Sequence, residues 1–162
     1  MKTDILNDKK QAPIHLATEL NKVEALEVLS HFRANINIQQ GGEHGRSALH
    51  LAAIYDYEEC ARILVRTCCR SYFLLCEFIF QITEFGACPR QPCNNGYYPI
   101  HEAAKNASFK TMEVFLQWGE ARGCSREEMI SFFDAEGNVP LHSAVHGGDF
   151  RVTYFSTCVI KD

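Results

Sequence analysis

Apolar residues along this chain fall into short blocks at helical spacing, and the blocks come in pairs separated by polar residues. Val23, Leu26, Val28 and Leu29 fit one face of a 3.6-residue period. Cys60, Ala61, Ile63 and Leu64 do the same, and so do Met112, Val114, Phe115 and Leu116. Each of these predicted helices follows a shorter apolar block, and a fourth short block stands near residue 141. Asp8, Gly45, Gly96 and Gly137 lie just ahead of the short blocks, where a turn reverses the chain. The pattern predicts repeated units of turn, short helix and second helix.

The short blocks share a text. They read Ala12-Pro13-Ile14-His15-Leu16-Ala17, Ser47-Ala48-Leu49-His50-Leu51-Ala52, Tyr98-Pro99-Ile100-His101-Glu102-Ala103 and Val139-Pro140-Leu141-His142-Ser143-Ala144. Four copies of small-or-Pro, aliphatic, His, any residue, Ala resemble the Thr-Pro-Leu-His-x-Ala signature of the ankyrin repeat. Pro13, Pro99 and Pro140 suit a first helical turn, where the missing N–H has no partner to lose. Ala17, Ala52, Ala103 and Ala144 are small enough to let neighbouring helices approach. The hydroxyl N-cap of the signature survives only as Ser47, and an absent cap costs typically ~1 kcal/mol. The implied fold is an all-α ankyrin-repeat solenoid of three full repeats and a truncated fourth.

The period is uneven. His15, His50, His101 and His142 are separated by 35, 51 and 41 positions, against roughly 33 residues for an ankyrin unit. The last interval carries extra residues near 117–128, expected as a longer finger or helix-loop. The middle interval holds an apolar insertion at 65–81. Without it, Arg62-Ile63-Leu64 joins Ile82-Thr83-Glu84-Phe85-Gly86-Ala87 as one continuous repeat. Every valine codon begins with GT and Phe80-Gln81 can end in a pyrimidine tract and AG, so 65–81 reads as a retained intron or an equivalent gene-model error, the alternative being a genuine insertion and a genuine isoform end. The tail from Val152, which has no helical stripe, reads as run-through from a second splice donor. The expected organisation is repeat 1 at 1–40, repeat 2 at 41–92 around the insertion, repeat 3 at 93–133, a partial repeat 4 at 134–151, and an aberrant tail at 152–162.

Composition adds exclusions. The 162 residues carry 16 Lys and Arg against 20 Asp and Glu, a net charge of −4, and 46% are hydrophobic. No basic cluster points to nucleic acid or to a lipid surface. Residues 1–10 lack the apolar core of a signal peptide. The apolar stretch at 63–82 is broken by Arg66, Arg70 and Glu77, each costing roughly 2.5–3.5 kcal/mol at a bilayer centre, which argues against a membrane span. Eight cysteines without a secretory signal read as reduced thiols in the cytosol.

A narrower resemblance rests on residues 5–17, 85–93, 94–101 and 125–141, including Asn94-Asn95-Gly96-Tyr97-Tyr98-Pro99-Ile100-His101. These closely resemble the ankyrin region of transient receptor potential channels of the ankyrin (TRPA) subfamily. The resemblance implies a homotetrameric, non-selective cation channel of the plasma membrane, responsive to temperature or noxious electrophiles. This region is then part of its cytosolic arm and does not itself conduct ions. A free-standing ankyrin adaptor, or a truncated decoy isoform that binds full-length subunits, is the alternative. Either way the expected partners are proteins.

The residues offer little chemistry. His15, His50, His101 and His142 stand one per repeat, where an imidazole bonds the backbone of the adjoining finger, so no metal site is expected. His142 and His146 are four apart on a helix but lack carboxylate or cysteine company for zinc. Cys60 falls on an apolar helix face, while Cys88 and Cys93 bracket a loop expected to be exposed and are the candidate reactive thiols. Asp134, Glu136, Glu127 and Glu128 lack a base, nucleophile or pocket motif around them. No enzyme, cofactor or phosphate loop is indicated. Tyr97 and Tyr98, expected at a finger tip with Gln39, Gln40 and Glu43, are the candidate docking anchors.

Overall fold

The computed structural model describes residues 4–32, 34–66, 87 and 89–148. Most of the insertion, the tail at 152–162 and Cys88 lie outside the described residues; Val65 and Arg66 form the last turn of a helix.

Helix pairs repeat as the pattern implies. Repeat 1 contributes α1 (Pro13–Glu19) and α2 (Val23–His31), and repeat 2 contributes α3 (Ala48–Tyr55) and α4 (Glu58–Arg66). Repeat 3 contributes α5 (Pro99–Lys105) and α6 (Phe109–Glu120). An extra helix, α7 (Arg126–Ile130), precedes α8 (Pro140–Gly147), the first helix of repeat 4. First helices pack on first helices, α1 on α3 on α5 on α8, and second helices α2 on α4 on α6. The result is a two-layer solenoid in which each unit buries its apolar face against its neighbours. Ala17, Ala52, Ala103 and Ala144 are all buried where the layers meet. Leu26, Leu64 and Phe115 fill the space between layers.

Four homologous turns introduce the units. Asn7 N–H donates to Gln11 O, Gln40 to Arg46, Cys93 to Tyr97 and Asp134 to Asn138, all at 2.9 Å. The later fingers hold glycine at positive φ, Gly42 (113°) and Gly45 (56°) in the second, Gly96 (79°) in the third and Gly137 (81°) in the fourth, whereas the first holds Lys10 (58°). Asp8 marks that first turn in the sequence without being its left-handed residue. Successive fingers are stitched together by Gly41 N–H to Lys10 O and Asn94 N–H to His44 O, both 2.9 Å.

The extra residues of the last interval make a helix rather than a longer finger. Ser125 and Glu128 form a reciprocal capping box at the start of α7. Arg126 clamps that turn to α6 through Glu113 (2.8 Å) and Glu120 (2.7 Å). Met129 is wholly buried against Gly119, where a Cβ would come within 2.6 Å of its Cγ. Among the described residues no helix is long and apolar enough to cross a membrane.

Candidate functional site

The signature histidines form a ladder. Nε2 of His15 donates to Ile38 O (2.9 Å), Nε2 of His50 to Tyr97 O (2.9 Å) and Nε2 of His101 to Asn138 O (3.0 Å). The rungs at His50 and His101 tie the first helix of one repeat to the finger of the next, and the rung at His15 reaches Ile38, which leads into the second finger. The other ring nitrogen serves the helix end: Nδ1 of His15, His50 and His142 accepts the N–H of Ala12 (3.0 Å), Ser47 (3.2 Å) and Val139 (3.2 Å). At His15 and His50 the acceptor role of Nδ1 leaves the ring proton on Nε2, the nitrogen that donates onward, so both rings are neutral donors. Nδ1 of His101 has no hydrogen-bond donor.

This arrangement corrects the reading of the caps. Ser47, the one residue with a signature hydroxyl, does not cap the helix backbone; its Oγ lies 2.8 Å from His50 Nδ1. The imidazole three residues on takes the N-cap N–H instead, the role that Glu or Gln fills in a capping box. Ala12 and Val139 need no hydroxyl for that half of the box. Pro13, Pro99 and Pro140 sit in the first turn as expected from the sequence.

Burial governs the electrostatics. Desolvation pulls the pKa of His50 down to about 4, against which the Tyr97 carbonyl works only partly. His15 and His101 move in the same direction for the same reason. Between repeats 2 and 3, Arg46 reaches the buried Glu102 at 3.1 Å. Asp134 is buried in the fourth finger and accepts from the Glu136 and Asn138 backbones at 2.9 and 2.8 Å. Burial alone would raise its pKa, yet the bonds from Asn138 and Glu136 bring it below the ordinary value. The acids of this finger are thus turn-forming groups.

Two expectations are overturned. Tyr97 and Tyr98 are half-buried and do not stand at a finger tip. The exposed tip is Asn94-Asn95, and the two tyrosines lie on the returning arm. Tyr98 packs on the rings of His101 (5.7 Å) and Phe132 (5.9 Å), and Tyr97 lies under Lys105 Nζ at 5.9 Å. Gln39 and Gln40 are likewise half-buried, with Glu43 exposed. Cys93 is also buried, because it opens the tight turn closed by Gly96 N–H to Cys93 O (2.9 Å). Large apolar side chains stand out instead just ahead of the finger turns, Leu6 (44% exposed) at the first and Phe133 (65% exposed) at the fourth. The place of Phe133 beside Phe132 gives no sequence signal of which ring faces outward.

Cys60 is fully buried, and burial, with the charge of Glu59, raises its thiol pKa to about 11. Cys124 is partly exposed. In native buffer a maleimide is expected to modify Cys124 well before Cys60 or Cys93, as read by peptide mass mapping. Labelling of Cys93 as fast as Cys124 would contradict the buried turn. Among the described residues no group of three or more His, Cys, Asp or Glu is placed to hold a metal ion.

Comparison with known proteins agrees with this geometry. The family described as Ankyrin repeats (3 copies) matches residues 1–72. The chain is 71% identical over 132 residues, 82% of its length, to the transient receptor potential cation channel subfamily A member 1 of Drosophila melanogaster, of which those residues cover 10%. The human protein of the same name is 30% identical over 149 residues, 92% of this chain and 12% of the relative. This chain is an ankyrin-repeat region of the TRPA family. The TRPA region spans about a tenth of the length of these relatives. Inversin of Mus musculus is similar at a lower level, 24% over 159 residues and 13% of its own length. In this TRPA region the histidine ladder and the finger turns join successive repeats.

Proposed function

We propose that this chain is one segment of the cytosolic ankyrin-repeat arm of a cation channel of the plasma membrane, engaged in thermal or chemical sensing and not itself conducting. Its partners are other parts of the same arm, other subunits of a homotetramer, and docking proteins. The observation that carries this reading is the uncovered outer face of repeat 1. Leu16 is 42% exposed, whereas Leu51 and Glu102, at the same register in repeats 2 and 3, are 6% and 5% exposed. Val28 is 54% exposed, while its counterpart Val114 is 3% exposed. Ala25 is exposed where Cys60 and Thr111 are buried. In repeats 2 and 3 these positions are buried against the preceding repeat, except Ile63, at the register of Val28, which is half-buried. Repeat 1 presents the same apolar surface without a cover, as expected of a unit from within a longer stack.

A consensus ankyrin repeat fused ahead of α1 tests the reading. It is expected to raise the melting temperature by several degrees, since each kcal/mol is worth about 2–4 °C at this size. The double change Leu16→Glu and Val28→Glu is expected to abolish that gain while leaving the unfused chain within about 0.5 kcal/mol. No gain on fusion would favour the free-standing adaptor. The organisation proposed around 65–81 and 152–162 is tested separately by sequencing the spliced transcript. Loss of those codons and continuation into further repeats and apolar spans supports retained introns; a message that keeps them and stops supports the adaptor or decoy.

A further inference from the structure

The departure from the regular period builds something the repeat framework does not use. Between the loop at 89–92, the start of α5 and the extra α7 segment lies an open groove of ≈ 430 Å³. Its walls are aromatic: Tyr98, Phe132 and Phe133, with Arg90 and Cys124 at one side. The segment is held firmly, by the Arg126 clamp and by the buried Met129, so the groove is part of the fold.

Two of its polar side chains are engaged internally. Glu128 lines the groove, but its Oε2 accepts the Ser125 N–H at 2.9 Å. Ser131 Oγ donates to Glu128 O at 2.9 Å. The guanidinium of Arg90 lies 5.1 Å over the Phe132 ring and touches Cys124 Sγ. Among the described residues no carboxylate comes within 4 Å of it. A guanidinium has five N–H donors in a fork that matches a carboxylate, and here it stands beside an outward-facing phenyl ring.

We propose that this groove docks a segment of a partner protein in which a carboxylate neighbours an aromatic or large aliphatic side chain. The carboxylate pairs with Arg90, and the apolar side chain lies across Phe132 and Phe133 with Tyr98 as its floor. Both anchors are of the kind that dominate protein contacts, an arginine and aromatic rings. A bare phosphate would leave the aromatic wall exposed, and a nucleic acid would meet one unpaired cation on a chain of net charge −4. This docking stands on the groove alone and holds for channel segment or adaptor alike.

The test is titration of the isotope-labelled full chain with the blocked tripeptide acetyl-Glu-Phe-Glu-amide, followed by amide NMR shifts. Saturable shifts centred on Arg90, Cys124, Phe132 and Phe133 are expected. Arg90→Gln and Phe133→Ala are each expected to weaken binding at least about fivefold. Both side chains are exposed, so the variants should keep the parent's spectral dispersion. The charge-reversed acetyl-Lys-Phe-Lys-amide should leave the spectrum unchanged. The proposal is overturned if the lysine peptide or inorganic phosphate shifts the same signals equally well. It is overturned equally if Arg90→Gln leaves the affinity intact, or if no localised shift appears.

Discussion

Acidification from pH 7 to pH 4 is expected to destabilise the stack, with the loss setting in near pH 6.5, above the range in which carboxylates protonate. In an unfolded chain histidine binds its proton near pH 6.5, whereas buried His50 does so only near pH 4. Between those values the unfolded state holds more protons than the fold, so stability falls as the pH falls. Above pH 6.5 both states are neutral at this position and nothing is lost. A depression of this size is worth about 3 kcal/mol once the pH has reached 4. His15 and His101 shift in the same direction and add to the loss, against a typical total stability of about 5–15 kcal/mol. Urea unfolding followed by circular dichroism at pH 7, 6, 5 and 4 measures the trend. The groups with depressed carboxyl pKa values, Glu113 and Asp134, act at lower pH and so do not mimic it. A stability that stays flat from pH 7 to pH 5 would contradict neutral, buried imidazoles in the ladder.

Gly96→Ala is expected to cost about 3 kcal/mol, and Gly137→Ala only about 1 kcal/mol. The two glycines are equivalent in their fingers and have nearly the same φ, 79° and 81°, so both substitutions meet the left-handed penalty. Their surroundings differ. A Cβ at 96 would stand 2.2 Å from Ala135 Cβ and 2.9 Å from its backbone nitrogen, while a Cβ at 137 meets nothing within 4 Å. The extra loss at 96 thus measures how closely the third and fourth fingers are pressed together. Denaturant midpoints of the two variants decide it. Equal losses would mean that the fourth finger moves aside at little cost.

Much of the fold was legible because its determinants are local. The Pro–aliphatic–His–x–Ala blocks, the finger glycines and the helical apolar stripes each act within a few residues, and α1, α3, α5 and α8 fall where those blocks stand. What was not legible depends on contacts between units. Tyr98 looks like a finger residue in the sequence, yet the ring of Phe132, 34 positions later, draws it inward. Cys93 is covered by the turn it begins, and Ser47 Oγ meets the imidazole instead of a backbone N–H. The extra residues after α6 could be located by the uneven period. That they fold into α7 and leave Arg90 facing a groove follows from Arg126 finding Glu113 and Glu120, a pairing no repeat spacing encodes.

The ladder has a mechanical consequence. Because Nε2 of His15, His50 and His101 each bonds forward toward the following finger, tension along the axis passes through the joints in series, and the weakest joint sets the yield point. The rungs at His15 and His50 are braced from behind by a backbone N–H on Nδ1. The rung at His101 has no such brace. Strain drawn through this arm should therefore part repeats 3 and 4 first, leaving the units before them stacked.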